Sequence, residues 1–149
     1  RGLFHLARSQ AAASGTTAQL MALCLGAGLL AATLAANAFT LAWTHSIEKI
    51  RWEEDWLVGE HLQLVAARVR GSGAGMEPPA GAELRDGVWH YRPNLPALET
   101  LTLSHSPHAG EYTMCVHGKC RPLSALLPGL PGNNVVKIAP CAGSTAPGD

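Results

Sequence analysis

The chain has 149 residues, is 47% hydrophobic and 15% charged, and balances eleven Lys and Arg against eleven Asp and Glu for a formal net charge of zero. That length fits one ordinary domain, and the charge balance leaves no basic face to neutralise phosphates, which argues against a nucleic-acid partner. The apolar content is concentrated in roughly the first forty residues, so the polar part of the chain is smaller than the average composition suggests.

The sequence opens at Arg1 rather than methionine, as expected of a fragment or a truncated reading frame. Residues 18–39 carry no charge, and Leu20 to Ala36 is nearly unbroken apolar sequence behind Arg1, His5 and Arg8. About twenty helical residues cross a bilayer, and a basic flank stays on the cytoplasmic side. The expectation is one N-terminal hydrophobic helix over residues 1–38. It would serve either as a membrane anchor or as a signal peptide cleaved after Ala36-Asn37-Ala38. Cys24 falls inside it and reads as a membrane-buried thiol.

From Phe39 the periodicity changes. Phe39, Leu41, Trp43, His45 and Ile47 alternate with Thr40, Ala42, Thr44, Ser46 and Glu48, the period of a half-buried strand. Trp52, Glu54, Trp56 and Val58 repeat that spacing. In residues 61–70 the apolar parity slips from Leu62 and Leu64 to Val65, Ala67 and Val69, which predicts a β-bulge. Residues 83–91 predict a hairpin turning at Asp86-Gly87, with Leu84 opposite Trp89. Leu101 and Leu103 mark a further strand, and residues 111–123 a last hairpin turning at His117-Gly118. Seven or eight short strands without an amphipathic helix predict an all-β domain over residues 39–127, a small antiparallel β-sandwich or open barrel.

A body of that size needs a staple. The hairpin at His117-Gly118 sets Cys115 and Cys120 across from each other, near enough for a disulfide in an oxidising compartment. Half of a zinc site is the rival reading, at loose spacing and without a second cysteine pair nearby. Cys141 would then be unpaired or intermolecular. Residues 70–81 hold four glycines and two prolines, a loop able to approach another surface but lacking the lysine and strand-to-helix context of a phosphate loop. Residues 128–149, with four prolines and four glycines, read as a flexible tail.

Residues 39–56 interleave Trp43, Trp52 and Trp56 with His45 and four carboxylates, a density that costs free energy unless rings are buried and charges solvated or partnered. His45 and Glu48 fall on opposite faces of a regular strand, as does Ser46 relative to His45, which weakens a catalytic dyad. No Gly-x-Ser-x-Gly elbow or His-Glu-x-x-His helix occurs. Glu53, Glu54 and Asp55 read as a solvated strand edge, and the three tryptophans as core. The composition nonetheless nominates one binding surface: His45, Ser46, Glu48, Trp52, Glu54 and Trp56 with Met76 and Glu77 of the glycine loop. No catalytic residue, metal site or cofactor is expected. The alternative is a metal-dependent or acid/base hydrolase using His45, Glu48 and Glu77.

Trp43-Thr-His-Ser-Ile-Glu-Lys with Trp52-Glu-Glu-Asp-Trp56, then Arg68 through Pro79, Trp89-His-Tyr91 and Cys115-Val-His-Gly-Lys-Cys120, resemble an uncharacterised bacterial family of small exported domains, domain of unknown function family 1850. The resemblance spans residue 39 to about 123, with Arg51 where the family pattern usually places proline. Genes of that family often lie beside TRAP transporters that use a TAXI-type solute receptor. The resemblance therefore implies an envelope accessory at the periplasmic face of the inner membrane. Its expected partners are the membrane through the N-terminal segment and a TRAP transporter subunit or its solute receptor.

Overall fold

A computed structural model describes residues 21–44, 49–70, 78–106 and 110–142. Strands run in the order β1 (Met21–Ala27), β2 (Leu30–Ala35), β3 (Ala38–Thr44), β4 (Arg51–Val58), β5 (Leu62–Arg70), β6 (Glu83–Arg85), β7 (Val88–Tyr91), β8 (Leu101–His105), β9 (Thr113–Val116), β10 (Lys119–Pro122) and β11 (Asn134–Ala142), with one short helix, α1 (Leu123–Leu126), before the last. They form two open antiparallel sheets, a smaller one ordered β2-β1-β11-β8 and a larger one ordered β10-β9-β3-β4-β5-β7-β6. The all-β expectation holds, and the architecture is a sandwich rather than a closed barrel.

The core lies between the sheets. Leu23, Leu25, Leu103, Val136 and Ile138 of the smaller sheet meet Phe39, Leu41, Trp56, Val58, Leu62, Leu64 and Met114 of the larger, with Leu123, Leu126 and Leu127 closing one side. Burying each such side chain contributes about 1.5–3 kcal/mol. Phe39 and Trp56, cross-strand partners, stack with centroids 6.2 Å apart and planes within 5°, adding about 0.5–1.5 kcal/mol. The bulge predicted in β5 is present: Asp55 pairs Ala66 and Trp56 pairs Leu64, so Val65 is the extra residue. Both predicted hairpin turns have positive φ at their two central residues, Asp86-Gly87 at 51° and 78° and His117-Gly118 at 53° and 77°, as a primed turn requires. Leu84 lies opposite Trp89 and Cys115 opposite Cys120, as expected.

The N-terminal helix is overturned for the part of it that is described. Met21–Ala27 and Leu30–Ala35 form a hairpin turning at Gly28, whose φ of 59° a helix would not accept. β1 then pairs β11 and buries Leu23 and Leu25 in the core. No helix among the described residues is long and apolar enough to cross a membrane. Residues 1–20 lie outside the described residues. The flexible-tail reading fails for its described part: Asn134–Ala142 is a central strand of the smaller sheet, burying Val136 and Ile138, while residues 143–149 lie outside the described residues. Residues on both sides of the expected 39–127 domain therefore complete its core. Cys24 is not a membrane thiol and Cys141 is not unpaired. The two are joined by a disulfide, Cα atoms 5.8 Å apart, that clasps β1 to β11. Cys115 and Cys120 form the expected second disulfide.

Candidate functional site

β4 is the middle strand of the seven, hydrogen-bonded on both sides to β3 and β5, and not an edge. Alternation sends Trp52, Glu54, Trp56 and Val58 toward the smaller sheet and Arg51, Glu53, Asp55 and Leu57 away from it. The three consecutive carboxylates, expected together as a solvated edge, thereby divide between two environments.

On the outer face the acids are paired. Arg68 on β5 donates from Nη1 and Nη2 to Asp55 at 2.7 Å each and from Nε to Glu53 at 2.9 Å; Arg51 Nε donates to the other Glu53 oxygen at 3.1 Å, and Thr40 Oγ1 to Asp55 at 2.7 Å. This is the bidentate geometry that makes Arg–carboxylate pairs strong. The Arg68 hydrogen bonds hold the Asp55 carboxyl below the usual carboxylate range against the opposing effect of burial. Burial alone would raise Glu53, but hydrogen bonds from Arg68 and Arg51 outweigh it and lower that group too. The network ties β3, β4 and β5 together through their side chains.

Glu54 on the inner face has no such partner. Its row across the sheet is Met114, Leu41, Glu54, Ala67 and Tyr91, in which Met114, Leu41 and Ala67 are buried. Trp52 and Trp56 flank it along the strand, and Trp56 Nε1 donates to Oε1 at 3.3 Å. Trp43 stacks on Trp52 at 6.0 Å with planes within 6°, and Tyr112 packs on Trp43 at 5.4 Å. Burial pushes the Glu54 carboxyl upward, only partly offset by the Trp56 hydrogen bond. The Tyr91 and Tyr112 hydroxyls are raised first by burial and then by the charge of Glu54, which places both in its field. Among the described residues no ion pair reaches Glu54.

The smaller sheet covers the Phe39, Leu41 and Trp56 half of this inner face. Further along this face stand Trp52, Val69 and Trp89, in register with one another on β4, β5 and β7, Val69 fully buried and the two indoles half-buried, with Tyr91 two residues beyond Trp89 on β7. Thr44, Lys49, Arg70 and Gly110, which flank the segments 45–48, 71–77 and 107–109, stand at this same end of the larger sheet. Gly110 is pressed against β3: a Cβ there would lie 2.5 Å from the Thr44 carbonyl oxygen, so only glycine fits. His105, which closes β8 just upstream of Tyr112, has a buried Nδ1 without a hydrogen-bond partner.

Of the nominated surface, Trp52, Glu54 and Trp56 come together here, with Trp56 in the core and Trp52 half-buried at its margin. His45, Ser46, Glu48, Met76 and Glu77 lie outside the described residues, and with them the hydrolase alternative. Tyr91 and Tyr112 were missed. Tyr91 was legible in principle, since it shares the parity of Trp89; Tyr112 carries no signal without the sandwich. Searches of curated proteins and of solved structures find no match. The profile of one family matches residues 39–123, the segment that builds the larger sheet and holds Glu54. By that match the chain belongs to the family described as domain of unknown function (DUF1850).

Proposed function

We propose that this chain is an exported, envelope-associated binding module without catalytic activity of its own, accessory to a TAXI-type TRAP transporter, and that it engages its target through the Glu54 end of the larger sheet. The observation that carries the reading is Glu54 itself, a half-buried carboxylate on a central strand, ringed by aromatic side chains and lacking a cation among the described residues. A fold with no use for such a group would replace it with an apolar residue and gain stability. Paired cysteines support export, since disulfides persist outside the reducing cytoplasm. The transporter association rests on the sequence resemblance alone.

The test is co-purification of transporter subunits or solute receptor with the tagged, exported chain, compared with its Trp52→Ala variant. Enrichment lost in the variant is the expected result. No enrichment over an unrelated periplasmic control would count against the reading.

A further inference from the structure

We propose that the Glu54 end of the sandwich binds an organic cation, an ammonium group held between the Glu54 carboxylate and the surrounding indole and phenol rings. The inference rests on the binding role assigned to this end above and names the chemistry of what it binds.

Glu54 Oε1 accepts from the Trp56 indole, and no described residue donates to Oε2. Of the cations at this end, Arg51 and Arg68 pair with Glu53 and Asp55 on the opposite face of the same strands, and among the described residues neither Lys49 nor Arg70 forms an ion pair with Glu54. A carboxylate so placed gains from a positive charge and loses from any ligand that merely dries it. The rings decide which positive charge. Trp56, buried against Phe39, offers only its indole N–H, but the half-buried Trp43, Trp52, Tyr91 and Tyr112 supply aromatic surface nearby, which favours a large, weakly hydrated ammonium through cation–π attraction. A bare metal ion needs several oxygen, nitrogen or sulfur donors, and the described residues hold no group of three side chains able to supply them. An anion would meet the repulsion of Glu54, and a neutral apolar molecule would bury the carboxylate deeper without a partner.

The test is a titration of the full chain, both disulfides intact, with tetramethylammonium and butylammonium chloride against sodium chloride at matched ionic strength. Tryptophan fluorescence and the indole N–H resonances are followed. Saturable change with the ammonium salts alone is expected, weakened at least tenfold in Glu54→Gln, with a melting temperature no lower than that of the parent. Trp52→Phe serves as a second variant and should weaken binding while keeping the carboxylate. The same ammonium chemistry could come from a free amine or a lysine side chain. Tighter binding of N-acetyl-lysine methylamide than of butylammonium would assign the site to a polypeptide, the reverse order to a free solute, and either supports the inference. Response no greater than with sodium, or equal affinity in Glu54→Gln, overturns it. If the cations fail while co-purification persists, only the ligand class falls; if they bind while no transporter component is enriched, the partner falls and the cation site stands.

Discussion

Removing the Cys24–Cys141 disulfide is the perturbation whose cost follows most directly from the architecture. The cysteines are 117 residues apart, so the bond closes nearly the whole described chain into one loop, whereas Cys115–Cys120 spans a separation of 5. In the chain-entropy treatment the first constraint contributes about 5 kcal/mol at room temperature and the second about 2 kcal/mol. A domain of this size has a total stability of about 5–15 kcal/mol, so losing the first bond removes a large share of it. Cys24→Ser/Cys141→Ser and Cys115→Ser/Cys120→Ser would be unfolded in urea and followed by tryptophan fluorescence. With a denaturant slope of about 1–3 kcal/mol per molar, the long-range pair should lower the midpoint by about 2 M or more and the hairpin pair by less than half of that. Equal losses, or a larger loss from the hairpin pair, would refute the reasoning. Such a result would mean that β1 and β11 are not held in the folded body by this bond.

Other outcomes follow from the geometry of β4 and its neighbours. Arg68→Met strips the charge-assisted hydrogen bonds from Glu53 and Asp55 and should cost about 2 kcal/mol in urea unfolding at neutral pH. Because those carboxyls titrate below their ordinary range when folded, their contribution is present above the unfolded pKa and lost as pH falls through the folded one. The parent should therefore resist acid to a lower pH than the variant. Glu54 runs the other way: burial raises its folded pKa, so its contribution is complete below the unfolded value and lost as pH rises through the folded one. Melting temperatures of the parent and Glu54→Gln should agree in mild acid and diverge toward neutral pH with the parent lower; a constant gap would contradict this. Gly110→Ala forces its new methyl against the Thr44 carbonyl and should cost about 1–3 kcal/mol, with a changed near-ultraviolet circular dichroism from Trp43 and Tyr112.

Where local chemistry dictates structure, the sequence was readable. Asp-Gly and His-Gly turns demand positive φ at two adjacent positions, and the parity slip after Leu64 demands an extra residue; both features are present. The first hairpin was hidden by alanine. β2 alternates half-buried Leu30, Ala32 and Leu34 with exposed Ala31, Thr33 and Ala35, so its period exists but its outer face is too apolar to reveal it. β11 was masked differently: Val136 and Ile138 alternate around Lys137, but the prolines and glycines on either side suggested a tail. Cys24 and Cys141 each looked solitary because the strands that join them are the first and last among the described residues. At the site, Trp52, Glu54 and Trp56 were conspicuous by composition. Which face they occupy could not be known without placing β4 in the middle of a sheet, and Tyr91 and Tyr112 reach Glu54 only through pairing with other strands.

The family match ends at residue 123 and begins at 39, yet the larger sheet it covers buries Phe39, Leu41 and Trp56 against Leu23, Leu25, Val136 and Ile138, which lie outside it. The site thus depends on segments beyond the matched region, because without the smaller sheet Trp56 would lose its cover and Glu54 its low-dielectric surroundings. This coupling makes Met21–Ala27 and Asn134–Ala142 structural supports of the proposed site.

The most direct measurement is the titration of the Glu54 side-chain carboxyl by nuclear magnetic resonance, made on the full chain with and without saturating tetramethylammonium. Among the described residues, Tyr91 and Tyr112 lie in its field, and both stay protonated through the carboxylate range. The account predicts a free-state midpoint above the ordinary glutamate value that moves down when the cation binds, since a neighbouring positive charge favours the ionised form. A midpoint in the ordinary range that the cation leaves unmoved would contradict it.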